Sequence, residues 1–131
     1  MTNINSITEK ILDELSKEIL SIDEIVNLFN NSKDFPKELI EKLSLETALK
    51  YWNGQMSYQD GDMIMNNLFI GCIHNQTDFK NYEFPTTAWE CYLAFDSGEF
   101  YRPHDDKSVD PAEKYTKPLV EQLLKKKNLI L

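Results

Sequence analysis

Apolar residues recur at three- and four-residue steps along the first half of the chain, which is the spacing of an amphipathic helix. The clearest stripe is formed by Ile7, Ile11, Leu12, Leu15 and Ile19. Ser6 and Glu9 form the pattern of a capping box, in which the two side chains satisfy each other's backbone amides. The sequence therefore predicts a first helix that begins at this box.

Three further helices are predicted before residue 54. Ser21 and Glu24 repeat the capping box, and an apolar stripe follows them at Ile25, Leu28 and Phe29. Pro36 suits the start of a third helix, KELIEKLS, because its missing N–H is not needed there. A fourth helix, LETALKYW, is expected to end at Asn53-Gly54, since glycine accepts the left-handed backbone that closes a helix.

The segment YQDGDMIMNNLFIGCIHN, residues 58–75, fits two structures. Asp60 or Asp62 could cap a helix with one apolar side, formed by Met65, Leu68, Phe69 and Cys72. Gly71 weakens a helix by about 1 kcal/mol relative to alanine. A buried strand at residues 68–73 is the alternative. We favour the helix.

The pattern changes to strict alternation at AWECYLAFD. Trp89, Cys91, Leu93 and Phe95 alternate with more polar or smaller residues, which is the period of a half-buried strand. Asp96-Ser97-Gly98 then supplies turn residues before EFYRP. The sequence predicts a β-hairpin from Trp89 to Tyr101, with Asp96 and Glu99 at an acidic tip.

Helix signals return near the end of the chain. Asp110-Pro111-Ala112-Glu113 has the composition of a helix start, and Pro118 is expected to break or restart that helix at PLVEQLLKKK. Together these elements predict an α+β fold. A helical N-terminal half would pack with a β-hairpin or small antiparallel sheet and with C-terminal helices, in one domain that spans residues 1–131.

Composition and charge narrow the class of partner. Hydrophobic residues make up 41% and charged residues 27% of the chain, which is typical of a folded globular domain, and the formal net charge is −8. Such a charge disfavours nucleic acid and anionic membranes, and it fits either solubility alone or a basic protein partner. No signal or transit peptide is recognisable, and Cys72 and Cys91 do not form a CxxC pair. We expect a cytoplasmic protein with free, buried thiols.

Candidate catalytic and metal sites are sparse. His104-Asp105-Asp106 is similar to the HD pair of metal phosphohydrolases, but His74 is the only other histidine. A mononuclear hydrolase site that uses His104 and Asp105 is the less favoured alternative. Asp60-Gly61-Asp62 fails the calcium-loop pattern, because Ile64 and Met65 occupy its fifth and sixth positions. The sequence therefore predicts no enzyme, no bound metal and no cofactor.

Acids and aromatics concentrate in the second half of the chain. From Glu83 to Glu113 the chain carries eight acidic residues against Arg102 and Lys107. Aromatic residues anchor protein interfaces, while charged residues surround them at the rim. The predicted partner-binding residues are Asp96, Glu99, Tyr101, Asp105, Asp106 and Asp110. The segment from Tyr51-Trp52 to Asp62 is the alternative binding region.

The stretch WECYLAFDSGEFYRPHDD, residues 89–106, in a small acidic chain resembles the immunity proteins of bacterial toxin–immunity systems, including those of contact-dependent growth inhibition. This resemblance lies at the level of the class, and it transfers no catalytic residue. It implies a protein that binds a cognate protein toxin, often a basic nuclease, and blocks its active site or substrate channel. An adaptor or regulatory subunit of another complex is the alternative.

Overall fold

The computed structural model describes residues 4–74 and 79–131, apart from the side chains of residues 4–6, and the described part is built from helices. No described residue belongs to a β-sheet, and one isolated parallel bridge joins Asp34 to Lys80. The expected α+β class is therefore wrong. The α-helices are α1 (Ile4–Lys17), α2 (Ile22–Leu28), α3 (Lys37–Trp52), α4 (Tyr58–Leu68), α5 (Thr86–Asp96) and α6 (Lys117–Lys126).

The helical prediction for the first half is confirmed in outline. α1 already begins at Ile4, so Ser6 lies inside the helix and is not its cap; its side chain lies outside the described residues. The capping box that starts α2 is present, with Ser21 and Glu24 bonded to each other's backbone amides. The predicted third and fourth helices form the single helix α3, which ends before Asn53 and Gly54. Gly54 has a φ of +75°, in the left-handed region.

The ambiguous segment is helical, and the alternative strand at residues 68–73 is wrong. Ser57 caps α4 by accepting a hydrogen bond from the Asp60 amide at 3.1 Å, so neither Asp60 nor Asp62 is the cap. The helix continues beyond Leu68 as a π-helical turn, Phe69–Ile73. Gly71 lies inside that turn, where a Cβ atom would come within 2.6 Å of Ile25. Gly71 thus lets α2 approach closely.

The predicted β-hairpin from Trp89 to Tyr101 is wrong, because residues 86–96 form α5. The side chains that α5 buries are Thr87, Ala88, Cys91, Ala94 and Phe95, which recur at helical steps. Trp89 and Tyr92 lie on a neighbouring face; Tyr92 stacks with both Trp89 and Phe69, and the Trp89 ring is tilted against Phe69. Apolar residues therefore occupy two adjacent faces of the helix, and part of that double pattern has the period of a strand.

Residues 97–110 connect α5 to the last helix and contain no strand. Asp96-Ser97-Gly98 ends α5, with the Gly98 amide bonded to the Phe95 carbonyl at 3.0 Å. A π-helical turn, Ala112–Thr116, leads directly into α6. α6 begins at Lys117 with Pro118 in its first turn, so the predicted restart of the helix at Pro118 is confirmed to within one residue. Proline lacks the N–H that a regular helical turn would use, and the wider π turn before it accommodates that loss.

α3, α4 and α5 form the centre of the molecule, since each contacts the other two. α1 packs on α4, and α6 packs on α3 and α5. The core includes the fully buried side chains of Leu15, Ile40, Leu68, Phe95 and Leu124. Cys72 and Cys91 are free and buried, as expected. No helix of the described residues is both long enough and apolar enough to cross a membrane.

Candidate functional site

A close crossing of α4 and α5 positions acidic side chains from both helices. Gly61 lies against the ring of Phe95, where a Cβ atom would come within 2.5 Å of Cε1. The Tyr58 hydroxyl donates a hydrogen bond to the Phe95 carbonyl at 2.6 Å. These contacts hold the first turns of α4 against the C-terminal end of α5. Asp62 is the residue after Gly61, and its carboxyl group faces the acidic side chains at the C-terminal end of α5.

Three carboxylates meet at this crossing: Asp62 of α4, Asp96 at the end of α5 and Glu99 in the turn that follows. We call these three residues the acidic cluster. Asp62 and Glu99 share a hydrogen bond between their carboxyl groups. Asn66 Nδ2 also donates to Glu99 Oε2, at 3.2 Å. The cluster is thus built from two helices that are separate in the sequence.

Burial and neighbouring negative charge raise the pKa of Asp62 to about 8. Burial is the largest cause; the hydrogen bond and charge of Glu99 and the charge of Asp96 follow, while Asn66 acts in the opposite direction. Burial and Glu99 also raise the pKa of Asp96. A carboxyl group with a pKa near 8 is mostly protonated at neutral pH. The acidic cluster therefore retains a proton under these conditions.

None of the ion pairs among the described residues includes a member of the acidic cluster. Many lysines pair with other acids, namely Lys17, Lys37, Lys42, Lys50, Lys114, Lys117, Lys125 and Lys126. Within the described part of the chain, no cation lies at ion-pairing distance from these three carboxylates. Asn66 donates a hydrogen bond to Glu99 but supplies no positive charge.

Asp105, predicted as a partner-binding residue, already interacts with two other side chains of the protein. Its side chain is only 6% exposed, and Oδ1 lies 2.5 Å from Lys114 Nζ. The Tyr115 hydroxyl donates to the other carboxylate oxygen. The hydrogen bond from Lys114, followed by that from Tyr115, lowers the pKa of Asp105. Asp105 therefore links the loop to the last helix and is poorly placed to meet a partner.

Asp106 and Asp110 also accept hydrogen bonds from the chain. Asp106 Oδ1 accepts from both the amide and the hydroxyl of Ser108, each at 2.9 Å. Asp110 Oδ1 accepts from the Ala112 amide at 2.9 Å, at the start of the last helix. Both residues remain exposed. The structure thus joins Asp96 and Glu99 to Asp62, and it gives Asp105, Asp106 and Asp110 local roles in the loop.

Tyr101, the predicted aromatic anchor, is 68% exposed in the loop after α5. The neighbouring Phe100 is also exposed, and the Arg102 guanidinium lies 4.2 Å from the centre of its ring. The same guanidinium lies 3.5 Å from the centre of the Tyr115 ring. Arg102 therefore places positive charge beside the exposed aromatics, so they do not form a purely acidic surface.

The histidines do not build the metal site of the alternative reading. His104 Nε2 lies 3.7 Å from Asp105 Oδ1 and 3.3 Å from the Tyr115 hydroxyl, beside Lys114. His74 follows the π turn after α4, where its ring contacts Phe69. Within residues 4–74 and 79–131, no group of three or more histidine, cysteine or acidic side chains is arranged to hold a metal.

A groove of about 380 Å³ begins at the acidic cluster and runs along α4. Ile19, Met63 and Ile70 give it an apolar lining, and Asp62 and Asn66 line it on the side of the cluster. The groove offers no serine, cysteine, histidine or lysine as a nucleophile. The groove thus combines an apolar part with a carboxylate end.

A second groove, of about 330 Å³, lies between α5 and α6. Leu93, Leu119 and Leu123 line it, and the ion pair between Glu90 and Lys126 lies beside them. In contrast to the acidic cluster, its acid and its base already neutralise each other. Charge gives this groove no preference for a basic or an acidic partner.

The alternative region, Tyr51-Trp52 to Asp62, is largely structural. Tyr51 contacts Phe95 and Tyr58 at ring-centre distances of 5.3 and 6.3 Å. Its hydroxyl oxygen is buried and has no hydrogen-bond partner among the described residues. Burial raises the pKa of Tyr51 to about 12. Asp62 is the part of this region that reaches the candidate site.

Sequence reasoning found Asp96 and Glu99 but missed their partners Asp62 and Asn66. The sequence offers Asp62 as part of a rejected calcium loop, as a helix cap and as the end of the alternative binding region, but nothing in it joins Asp62 to Asp96 and Glu99. The spacing of Asp62 and Asn66 places both on one side of α4, and this is the only local signal. Contact with Asp96 depends on the α4–α5 crossing, for which the sequence offers just a small residue, Gly61.

Comparisons of the chain with protein-family models, with curated proteins and with solved structures found no match.

Proposed function

We propose that this protein is a cytoplasmic protein-binding module of the immunity type, which binds and neutralises a basic toxin domain. The observation that carries the proposal is the acidic cluster of Asp62, Asp96 and Glu99, which no cation of the described residues neutralises at ion-pairing distance. The class-level resemblance to immunity proteins supplies the kind of partner. The proposal includes no catalytic activity.

The energetics of the acidic cluster support a cationic partner. Nearby carboxylates raise the pKa of a partly buried carboxyl group, because negative charges repel, and Glu99 and Asp96 have this effect on Asp62. A lysine or arginine from a partner would relieve that repulsion and release the bound proton. Asp105 provides an internal comparison, since Lys114 already occupies it and its pKa is lowered instead.

The net charge of −8 supports the same class of partner over a longer range. Complementary charge accelerates encounter and orients the two proteins before contact. A basic nuclease domain carries the positive field that such a surface would meet. The same charge repels nucleic acid and anionic membrane surfaces.

Capture of partners by an uncharged variant of the cluster tests the proposal. The tagged wild type and the variant Asp62→Asn/Asp96→Asn/Glu99→Gln are used to capture proteins from the native lysate. A basic protein should be retained by the wild type and largely lost from the variant. Mass spectrometry identifies it, and production of that protein alone should arrest growth, which co-production of the wild type should relieve.

A matched control separates the cluster from total charge. Asp23→Asn/Glu38→Gln removes two negative charges from exposed positions on α2 and α3, the number that the cluster carries while it retains its proton, and it should retain the partner. Equal retention by both variants would contradict the role of the cluster. A partner that is bound through the cluster but does not affect growth would instead indicate an adaptor or regulatory subunit.

A further inference from the structure

The backbone that carries Ile19 is fixed by a buried side chain. Asn67 of α4 is 1% exposed and makes three hydrogen bonds to the end of α1 and the linker after it. Its Nδ2 donates to the carbonyls of Leu15 and Glu18, and its Oδ1 accepts from the Leu20 amide at 3.0 Å. The chain on both sides of Ile19 is therefore held against α4.

The Ile19 side chain nevertheless projects into solvent. It is 72% exposed, although both of its neighbours are tied to Asn67. An apolar side chain on a fixed backbone loses little conformational freedom when a partner covers it, because the main ordering cost is already met. Ile19 thus has the properties of a preorganised contact at the edge of the α4 groove.

The groove combines that apolar contact with the carboxyl group of Asp62, which pairs with no cation of the described residues. Ile19, Met63 and Ile70 line the same groove as Asp62, which contacts Glu99 and Asp96 at its end. An occupant that fits both parts needs an aliphatic side chain next to a cation. A lysine or arginine with an apolar neighbour has this chemistry, since its long aliphatic stem can lie along apolar surface while its charge reaches the carboxylates.

We infer that the α4 groove is the docking site for a segment of the basic protein partner in which a lysine or arginine adjoins an aliphatic side chain. This inference rests on the proposed function and adds where and by which chemistry the partner is held. The aliphatic side chain contacts Ile19 and Met63. The cation reaches the carboxylates of Asp62 and Glu99, displacing the proton that they share.

Short peptides test the docking site without the natural partner. The probes are acetyl-Leu-Lys-Leu-amide, acetyl-Leu-Gln-Leu-amide and acetyl-Gly-Lys-Gly-amide, titrated into the full chain and followed by methyl and amide NMR. The first peptide should shift the signals of Ile19, Met63 and Ile70 together with those around Asp62. It should bind roughly tenfold more tightly than the other two peptides, since each of them lacks one of the two contacts.

Substitutions then assign each contact. Ile19→Ser and Asp62→Asn should each weaken the first peptide several-fold. Ile7→Ser, an exposed isoleucine on α1 outside the groove, should leave its affinity unchanged. The fold of Ile19→Ser is checked by its amide spectrum, which should match the wild type away from the linker.

The outcomes separate the inference from the proposed function. Binding that is lost in Asp62→Asn but unchanged in Ile19→Ser would overturn the groove and leave the cation-binding role of the acidic cluster intact. Binding unaffected by both substitutions, or no binding at millimolar peptide, would overturn the inference and count against the proposed function as well. Shifts at Leu93 and Leu119 in place of Ile19 would assign docking to the α5–α6 groove.

Discussion

The pKa of Asp62 is raised by burial first and then by Glu99 and Asp96, which are distant from it in the sequence. Asn66 faces it from α4, Asp96 from α5 and Glu99 from the turn after α5, and none of these supplies a positive charge. The pKa of Tyr58 is itself raised, by burial first and then by the charge of Asp62. The pKa of this one carboxyl group therefore depends on how α4 packs on α5, which is a property of the tertiary structure.

Asp62→Asn should change how stability depends on pH. The pKa of Asp62 is raised on folding from 3.8 to about 8, so the folded state binds the proton more tightly than the unfolded state. Its contribution to the free energy of unfolding must fall as pH rises through this range. As pH rises, the free energy of unfolding of the variant should increase relative to that of the wild type. The increase should be on the order of 1 kcal/mol above pH 8, after allowance for solvent screening.

Urea unfolding of both proteins at several pH values between about 5 and 9 measures this difference. Asp60→Asn is the control, because Asp60 is exposed on the same helix, and its stability should follow that of the wild type. Parallel pH profiles for wild type and Asp62→Asn would contradict the raised pKa.

Asp105 shows why charge alone does not separate acids that are paired within the chain from acids without a cation. In the sequence, Asp105 and Glu99 are equivalent acids in one acidic stretch. In the structure, Lys114 and Tyr115 occupy Asp105, while Glu99 meets another carboxyl group. Whether an acid is neutralised internally depends on where the last helix lies. The sequence could predict that acids are concentrated here, but not which of them remain without a cation.

At the level of elements, local signals were sufficient where a helix has one apolar face and a recognisable cap. α2 with its capping box at Ser21 and the end of α3 at Gly54 were predicted on such signals. α5 was mispredicted because α3, α4 and α6 surround it and cover more than one face. With Trp89 and Tyr92 apolar beside the buried Cys91 and Phe95, the helical period is hidden and a two-residue alternation emerges.

Gly98→Ala distinguishes the observed helix end from the predicted hairpin turn. In the structure a Cβ atom on Gly98 would lie 2.4 Å from Thr116 Oγ1 and 2.9 Å from the Ala112 backbone. Thr116 is buried and donates to the Ala94 carbonyl, so it has little room to move. We expect the variant to lose about 1–3 kcal/mol of unfolding free energy, the usual cost of overpacking.

Chemical denaturation followed by circular dichroism measures this loss. Ser97→Ala is the matched control, because Ser97 is the adjacent residue and its hydroxyl donates to the Leu93 carbonyl, one turn earlier in the helix. We expect it to change stability by no more than about 0.5 kcal/mol. Equal stability of Gly98→Ala and Ser97→Ala would show that α5 does not end against the π turn before α6.

At the level of the whole molecule, the acidic residues differ in whether they pair with a lysine. Lysines pair with acids along α1, α3 and α6, mostly at exposed positions where each pair adds little stability. Among the described residues, no such pair includes the acidic cluster at the crossing of α4 and α5. Composition alone, through the net charge of −8, predicts a preference for a basic partner. Composition could not predict that acidic residues gather at one crossing, because that depends on the packing of α4 on α5.

Charge reversal at the cluster should change how fast a partner associates. Asp96→Lys/Glu99→Lys converts two members of the cluster, and a lysine at position 96 suits the C-terminal end of α5, so we expect the fold to persist. Association with the captured partner, measured by stopped flow at low salt, should slow by roughly tenfold or more. Its rate should also depend less on ionic strength than the wild-type rate does, because screening acts on the attraction that the variant lacks.

Asp13→Lys/Asp23→Lys makes the same change of net charge on α1 and α2 and serves as the control. If recognition is local, this control should slow association only slightly. Polylysine, which senses total charge, should bind both variants equally weakly. Equal slowing of the true partner by the two variants would mean that the net charge of −8, and not the crossing of α4 and α5, guides the encounter. Recognition would then have to reside in contacts that carry no charge, of which Ile19 and the groove beside it are the first to test.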